Sequence, residues 1–290
     1  MRGLLRFMPG FNWLSRKRIL HRYHHDAQLL LKGRHRNTSS LPGILYFGTT
    51  RSGADQAAKV FIRALVRSAG MAAIDFDGYS FNGGRSSSDI FAPSDHGHDV
   101  YSPRGYFFGP FRRYNPGIGR IEDYRTILQL RDPRDVLVSL YYSTAYSHNI
   151  PFHNPELADE YLARRRAALG MSIDTFVLQH AGQLREVYQE YLDNLVDHAN
   201  VLLLKYETMV TDFDAWLDAV VKFLDFDGES EAVAEVRKDA ERLLRVKGEN
   251  IYRERRQMTP GDFRRKLQPA TVDSLTMTFH QTLERLGYGL

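Results

Sequence analysis

The sequence predicts a single α/β domain with a central parallel sheet flanked by helices, and three observations carry that reading. Short apolar runs suited to buried strands recur at 43–47, 126–130 and 201–204. Each run is followed by a stretch with apolar residues at helical spacing, the alternation expected of parallel strands joined by crossover helices. No internal repeat divides the chain. Its 290 residues, 43% hydrophobic and 26% charged, are enough to bury one sizeable core.

The elements follow in order. Residues 1–40 form a basic, partly apolar N-terminal segment, set apart from an α/β domain over 41–290. Positions 1–37 hold nine Lys/Arg and one acid, Asp26, a local net charge of +8 within a chain whose total is +4. The remainder is therefore acidic, which argues against a nucleic-acid partner. Apolar Leu4, Phe7, Phe11 and Trp13 lie among the basic residues. This head suits peripheral contact with an anionic membrane, a basic helix packed on the domain, or a tail that docks a partner. The sequence holds neither an apolar run of membrane-spanning length nor the pattern of a secretory signal. It has no cysteine, which removes disulfides, thiolate catalysis and Cys-ligated zinc from consideration. A cytoplasmic protein is expected.

Strand 43–47 leads into a polar turn, 48–53, and a helix over 54–68 with Ala57, Val60, Phe61, Ala64 and Leu65 on one face. A second strand is expected over 71–76. Residues 77–120, rich in Gly, Ser, Pro and aromatics, read as irregular. After strand 126–130, Pro133 is placed to open a helix carrying Val136, Leu137, Leu140 and Tyr141. Helices are expected over 156–168, 172–199, 208–224, 229–246 and 270–286.

The turn Gly48-Thr49-Thr50-Arg51-Ser52-Gly53 matches the first half of a P-loop, so the fold is expected to be P-loop-like. Its backbone N–H groups at a helix start suit an anion, and Arg51 adds a full charge; a plain strand-to-helix turn is the other reading. Ala54 and Asp55 stand where a P-loop carries Lys and Ser or Thr. A kinase or NTPase needs those groups for its terminal phosphates and magnesium, which disfavours that class.

The segment Arg131-Asp132-Pro133-Arg134-Asp135-Val136-Leu137-Val138-Ser139-Leu140-Tyr141-Tyr142 is more specific. It closely resembles the 3'-phosphate-binding segment of sulfotransferases that use 3'-phosphoadenosine-5'-phosphosulfate (PAPS). Arg131 at a strand end can hold a phosphate through two donors, and Ser139 lies two turns into the following helix. Further matches occur in the family's order. Leu204-Lys205-Tyr206-Glu207 resembles its strand ending near the adenine, Lys222-Phe223-Leu224 a later helix end, and Arg256 with Gly261-Asp262-Phe263 its second 3'-phosphate segment. Arg51-Ser52-Gly53 fits its first loop.

The resemblance implies a transferase moving a sulfuryl group from PAPS, with PAP as product and no metal required, to a hydroxyl or amine of an acceptor. A carbohydrate, glycolipid or small molecule fits that acceptor role. Thr50, Arg51, Ser52, Gly53, Ala54 and Asp55 are expected around the 5'-phosphosulfate. Arg131, Ser139 and Arg256 are expected at the 3'-phosphate, and Tyr206 at the base. Arg51 would also meet charge developing on the bridging oxygen. For the general base the nearest histidine is His98, then His96, with Asp95 and Asp99 as carboxylate alternatives. Tyr79, Phe81, Tyr101, Tyr106, Phe107, Phe108, Phe111 and Tyr114 are expected to wall an acceptor pocket, and Arg104, Arg112 and Arg113 to meet an acidic acceptor. Ala54 and Asp55 replace hydroxyl residues of the family loop and Gln56 a tryptophan. A catalytically inactive scaffold that binds PAPS or PAP is therefore the alternative.

Overall fold

The computed structural model describes residues 17, 21–35, 39–83, 100–151, 155–244, 250–252 and 259–290. Five parallel strands form its sheet: β1 (Ile44–Gly48), β2 (Ala72–Ile74), β3 (Tyr106–Phe111), β4 (Arg125–Leu130) and β5 (Val201–Lys205), in the order β2-β3-β1-β4-β5. Helix α1 (His24–Lys32) precedes β1. Helix α2 runs as Ala54–Gln56, a π-helical stretch Ala57–Ile62 and Arg63–Ser68, and α3 is Phe76–Gly83. Then follow α4 (Pro133–Tyr142), α5 (Pro155–Leu169), α6 (Ile173–Asn194), α7 (Tyr206–Thr211), α8 (Phe213–Leu224) and α9 (Glu231–Leu244). The chain closes with α10 (Phe263–Lys266), α11 (Pro269–Thr278) and α12 (His280–Arg285).

Alternation along the strands divides the core in two. Leu45 and Phe47 of β1, Phe108 of β3 and Leu128 of β4 pack with α4, α6 and the C-terminal helices. Ile44 and Tyr46, Phe107 and Ile127 face the other way, against α2, α8 and α9. Both faces are covered, so the strands read as continuous apolar runs. The chain steps outward from β1 to β2, returns beside β1 as β3, then crosses to β4. This reversal at β1 opens a crevice at the carboxyl ends of β1 and β4, where ligands of open α/β sheets bind.

Several expectations fail. The irregular reading of 77–120 misses α3 and, more seriously, β3, an inner strand. Gly109 and Pro110 interrupt its apolar run and hide it. The aromatics Tyr106, Phe107, Phe108 and Phe111 are at most 3% exposed, so they are sheet core rather than pocket wall. The expected helix over 208–224 divides at Asp212, whose carboxylate accepts the Ala215 N–H at 3.1 Å and caps α8. Part of the basic head docks on the body through α1, where Leu29 is buried and Asp26 accepts the Asp75 N–H at 2.6 Å. Among the described residues no helix is long and apolar enough to cross a membrane.

Candidate active site

The turn after β1 is held from beneath. Ser52 Oγ donates to the Thr49 carbonyl at 2.7 Å. Gln129 of β4 donates to the Ser52 carbonyl at 2.9 Å and accepts the Tyr46 hydroxyl at 2.8 Å. Arg51 and Gly53 both take left-handed backbone conformations, φ 64° and 74°. Gly53 has a second constraint, because a Cβ there would sit 2.8 Å from the Tyr206 ring and 2.8 Å from Met209 Cε. The loop thus lies directly on the start of α7. Ala54 is 1% exposed at the first turn of α2, and its Cβ is the atom that a side chain at Gly48 would strike, at 2.8 Å. Its small size is a packing requirement.

Helix α4 supplies the other wall. Asp132 accepts the Arg134 N–H at 2.9 Å and Pro133 occupies the first turn, so the helix starts where β4 ends. Arg131 is 5% exposed and lies over the Tyr206 ring, 4.3 Å from its centroid. One of its terminal nitrogens donates to the Arg51 carbonyl at 3.2 Å, and the other lies 3.7 Å from Asp135. Burial disfavours its charge, but Tyr206, Asp135 and Glu207 outweigh that and hold it cationic. Its buried Nε has no hydrogen-bond partner among the described residues. Arg51 Nε donates to Ser139 Oγ at 3.2 Å. Arg51 therefore meets Arg131 and Ser139, which lie 80 and 88 residues further along the chain.

These groups open into a cleft of about 790 Å³. Thr50, Arg51, Gly53, Ala54 and Asp55 line it from the loop, and Arg131, Ser139 and Tyr206 from the facing elements. Ser52 is buried and braces the turn. Arg256, His98, His96, Asp95 and Asp99 lie outside the described residues.

Several contacts at the cleft were not legible in the sequence. Lys59, one turn along α2, is 3.0 Å from both Asp55 and the buried Asp75. Arg112, just past β3, pairs with Asp55 and lies 3.5 Å from Asp77. Burial alone would raise the Asp55 carboxyl, but Arg112 and Lys59 bring it down to about 2. Its charge is thus answered within the protein by Lys59 and Arg112. Asp77 lines the cleft at the start of α3, and burial raises its proton affinity despite Arg112 and Lys59. His148 stacks on Tyr161 at 4.9 Å, and Phe81 meets the Tyr161 ring edge-on at 6.0 Å. Of the expected aromatic wall, Phe81 alone lines this cleft. Arg104 binds the Ser40 carbonyl and Arg113 pairs with Glu190, so of the three expected arginines only Arg112 reaches it.

The remaining motif residues are structural. Arg134 is 1% exposed, paired to Asp132 at 2.8 Å, and donates to the Gly289 carbonyl at 2.6 Å and Thr276 at 3.0 Å. Asp135 accepts the N–H groups of Gly261 at 2.7 Å and Phe263 at 3.0 Å. Together they tie the C-terminal segment to α4.

Residues 121–287, more than half of the chain, match the family model described as the sulfotransferase domain. The fold is similar to that of mouse sulfotransferase SULT7A1 complexed with PAP, with 15% identity, a TM-score of 0.55, and coverage of 89% of this chain and 88% of that one. It is also similar to sulfotransferase STF9 from Mycobacterium avium, with 13% identity, a TM-score of 0.50, and coverage of 97% and 84%. At these identities the likeness is one of fold. The curated proteins gave no match. The family match over β4, α4 and everything that follows, on a sheet of the same architecture, shows that the chain belongs to the sulfotransferase family.

Proposed function

We propose that this chain transfers a sulfuryl group from PAPS to a hydroxyl or amine of an acceptor. The observation that carries the proposal is the meeting of Arg51 and Ser139 at 3.2 Å over the buried Arg131. A donor with a phosphate at the 3' position supplies charge for that cluster, and Arg131 Nε supplies a hydrogen-bond donor that has no partner among the described residues. Mouse SULT7A1, whose fold this chain shares, is described in complex with PAP.

PAPS supplies the sulfuryl group and a PAP leaving group. Residues 48–53 would present backbone N–H groups at the start of α2 to the phosphosulfate. Arg131 and Ser139, with Arg256 as the third member, would hold the 3'-phosphate. Arg51, held at the rim by Ser139, would offset negative charge growing on the bridging oxygen. Tyr206, fixed beneath Gly53, would pack near the base.

For the acceptor proton, Asp77 is the base that the geometry favours, since it lines the cleft with a raised proton affinity and Arg112 holds it in place. His98 stays the histidine that the family pattern suggests. The ring faces of Phe81, Tyr161 and His148 beside the polar groups of α5 suit a carbohydrate or a glycolipid headgroup.

The test is calorimetric titration of PAP, with 5'-AMP as control, on wild type, Arg131→Gln and Ser139→Ala. PAP should bind, AMP far more weakly, and each variant should lose about tenfold or more, as expected for charge-assisted hydrogen bonds. PAP binding no tighter than AMP would remove the 3'-phosphate reading. PAP binding with no transfer to any acceptor would instead identify the inactive scaffold. Once an acceptor is known, Asp77→Asn should abolish the acid limb of the rate–pH profile. An unchanged limb would move the base to a histidine.

A further inference from the structure

A second cavity, of about 320 Å³, lies at the β2 edge of the sheet, between α1 and the last turns of α2. Arg22, Arg63 and Arg67 converge on it, with His25 and Asp26 from α1 and Ala72 and Ala73 from the strand. Arg63 and Arg67 are four residues apart on one helix face, where like charges repel. Among the described residues none of the three arginines is in an ion pair, and the buried Nε of Arg63 has no hydrogen-bond partner. The acid among the residues lining the cavity is Asp26. Its carboxylate accepts the Asp75 N–H and attracts Arg63; burial raises it to about 6, so at neutral pH it carries one negative charge against the three positive ones. Burial and the Arg63 charge both weaken the hold of Arg67 on its proton. Three guanidinium groups and one carboxylate line the cavity, an excess of positive charge; Arg22 and Arg67 are exposed, and the buried Nε of Arg63 is the donor that an entering anion would satisfy.

We propose that this cavity is a second anion site, taking the tetrahedral oxyanion of a phosphate or sulfate ester. Guanidinium forks are suited to two parallel hydrogen bonds with such a group. The site is separate from the nucleotide cleft but adjacent to it, because Tyr23 lines both cavities. The oxyanion can come from a lipid headgroup or from a soluble ester.

The test is thermal unfolding of the full chain in sodium sulfate against sodium chloride at equal ionic strength. Wild type, Arg51→Gln and the double variant R63Q/R67Q are compared. Sulfate stabilises most proteins weakly by exclusion from their surface, so the double variant provides the baseline. Wild type and Arg51→Gln should gain several degrees beyond that baseline at about 10 mM sulfate, as linkage requires of a site with millimolar or tighter affinity. In chloride alone Arg67→Gln should melt no lower than wild type, because a repulsion is removed. Flotation with phosphatidylcholine vesicles, with and without phosphatidic acid, separates the two sources. Recruitment by phosphatidic acid that is lost in R63Q/R67Q assigns the site to a lipid. Recruitment that is absent, or unchanged in that variant, together with the sulfate response, assigns it to a soluble ester. A sulfate response that persists in R63Q/R67Q, or that vanishes in Arg51→Gln, overturns the proposal. In the latter case the anion is in the nucleotide cleft.

Discussion

Replacing Gly53 by alanine tests whether the loop is as tightly fixed to α7 as the packing indicates. The backbone there has φ 74°, and the new Cβ would meet the Tyr206 ring and Met209 Cε, each at 2.8 Å. A methyl group at a left-handed position costs about 1 kcal/mol. Met209 ends in a flexible methyl and can yield, but the Tyr206 ring is 5% exposed and pinned under Arg131. Overpacking against such a ring adds about 1–3 kcal/mol. Gly287 provides the control: it closes α12 with φ 63°, and a Cβ there would meet nothing nearer than Lys205 Nζ at 3.5 Å, an ordinary contact. Gly287→Ala should therefore lose only the backbone part. The effect of the extra methyl on the unfolded chain is common to both and cancels in the difference. Urea unfolding should place Gly53→Ala about 1–3 kcal/mol below Gly287→Ala, and calorimetry should show weakened PAP binding only in the former. Equal losses for the two variants would refute the claim that Tyr206 fixes the loop.

Three further predictions concern charge. Asp26 is 4% exposed, and burial raises its carboxyl to about 6 from 3.8. Between those values the folded chain holds a proton that the unfolded chain has lost, so stability falls as pH rises through the window and levels off above it. The loss is on the order of 2–3 kcal/mol, and it should be missing from Asp26→Asn when urea unfolding is compared at pH 4 and pH 7. Arg134→Gln should lose about 3–5 kcal/mol of stability, because it strands the Asp132 carboxylate in a buried site; retention of wild-type stability would mean that the C-terminal segment is held by other contacts. Asp55→Asn should tighten PAP binding several-fold, because Lys59 and Arg112 then face the cleft without their shared carboxylate. Weaker binding in calorimetry would show that Asp55 organises these cations instead.

Much of the donor side was legible because its signals are local. Pro133 and Asp132 fix the start of a helix by backbone chemistry, and eight residues after Arg131 Ser139 must lie two turns along it. The glycines at 48 and 53 mark a turn whose backbone approaches its neighbours closely. The acceptor side was not legible. Strand β3 is buried on both faces and broken by Gly109 and Pro110, so it shows neither alternation nor a continuous run, and its aromatics resemble a pocket lining. Asp55 beside a phosphate loop reads as repulsive until Lys59, on its own helix, and Arg112, from another strand, are seen to take up its charge.

The sequence by itself determined the class of fold, the loop after β1, and the order of the segments that carry the family likeness. These depend on periodicity, capping and turn residues, which act over a few positions. Only the tertiary structure decided which charges meet. Arg51 reaches Ser139 across 88 residues of chain, and Arg112 reaches Asp55 from just past the end of β3. Likewise, three arginines of no common motif surround a cavity at the sheet edge. Electrostatic energy depends on distance and burial, and both are set by the packing of the elements rather than by their sequence.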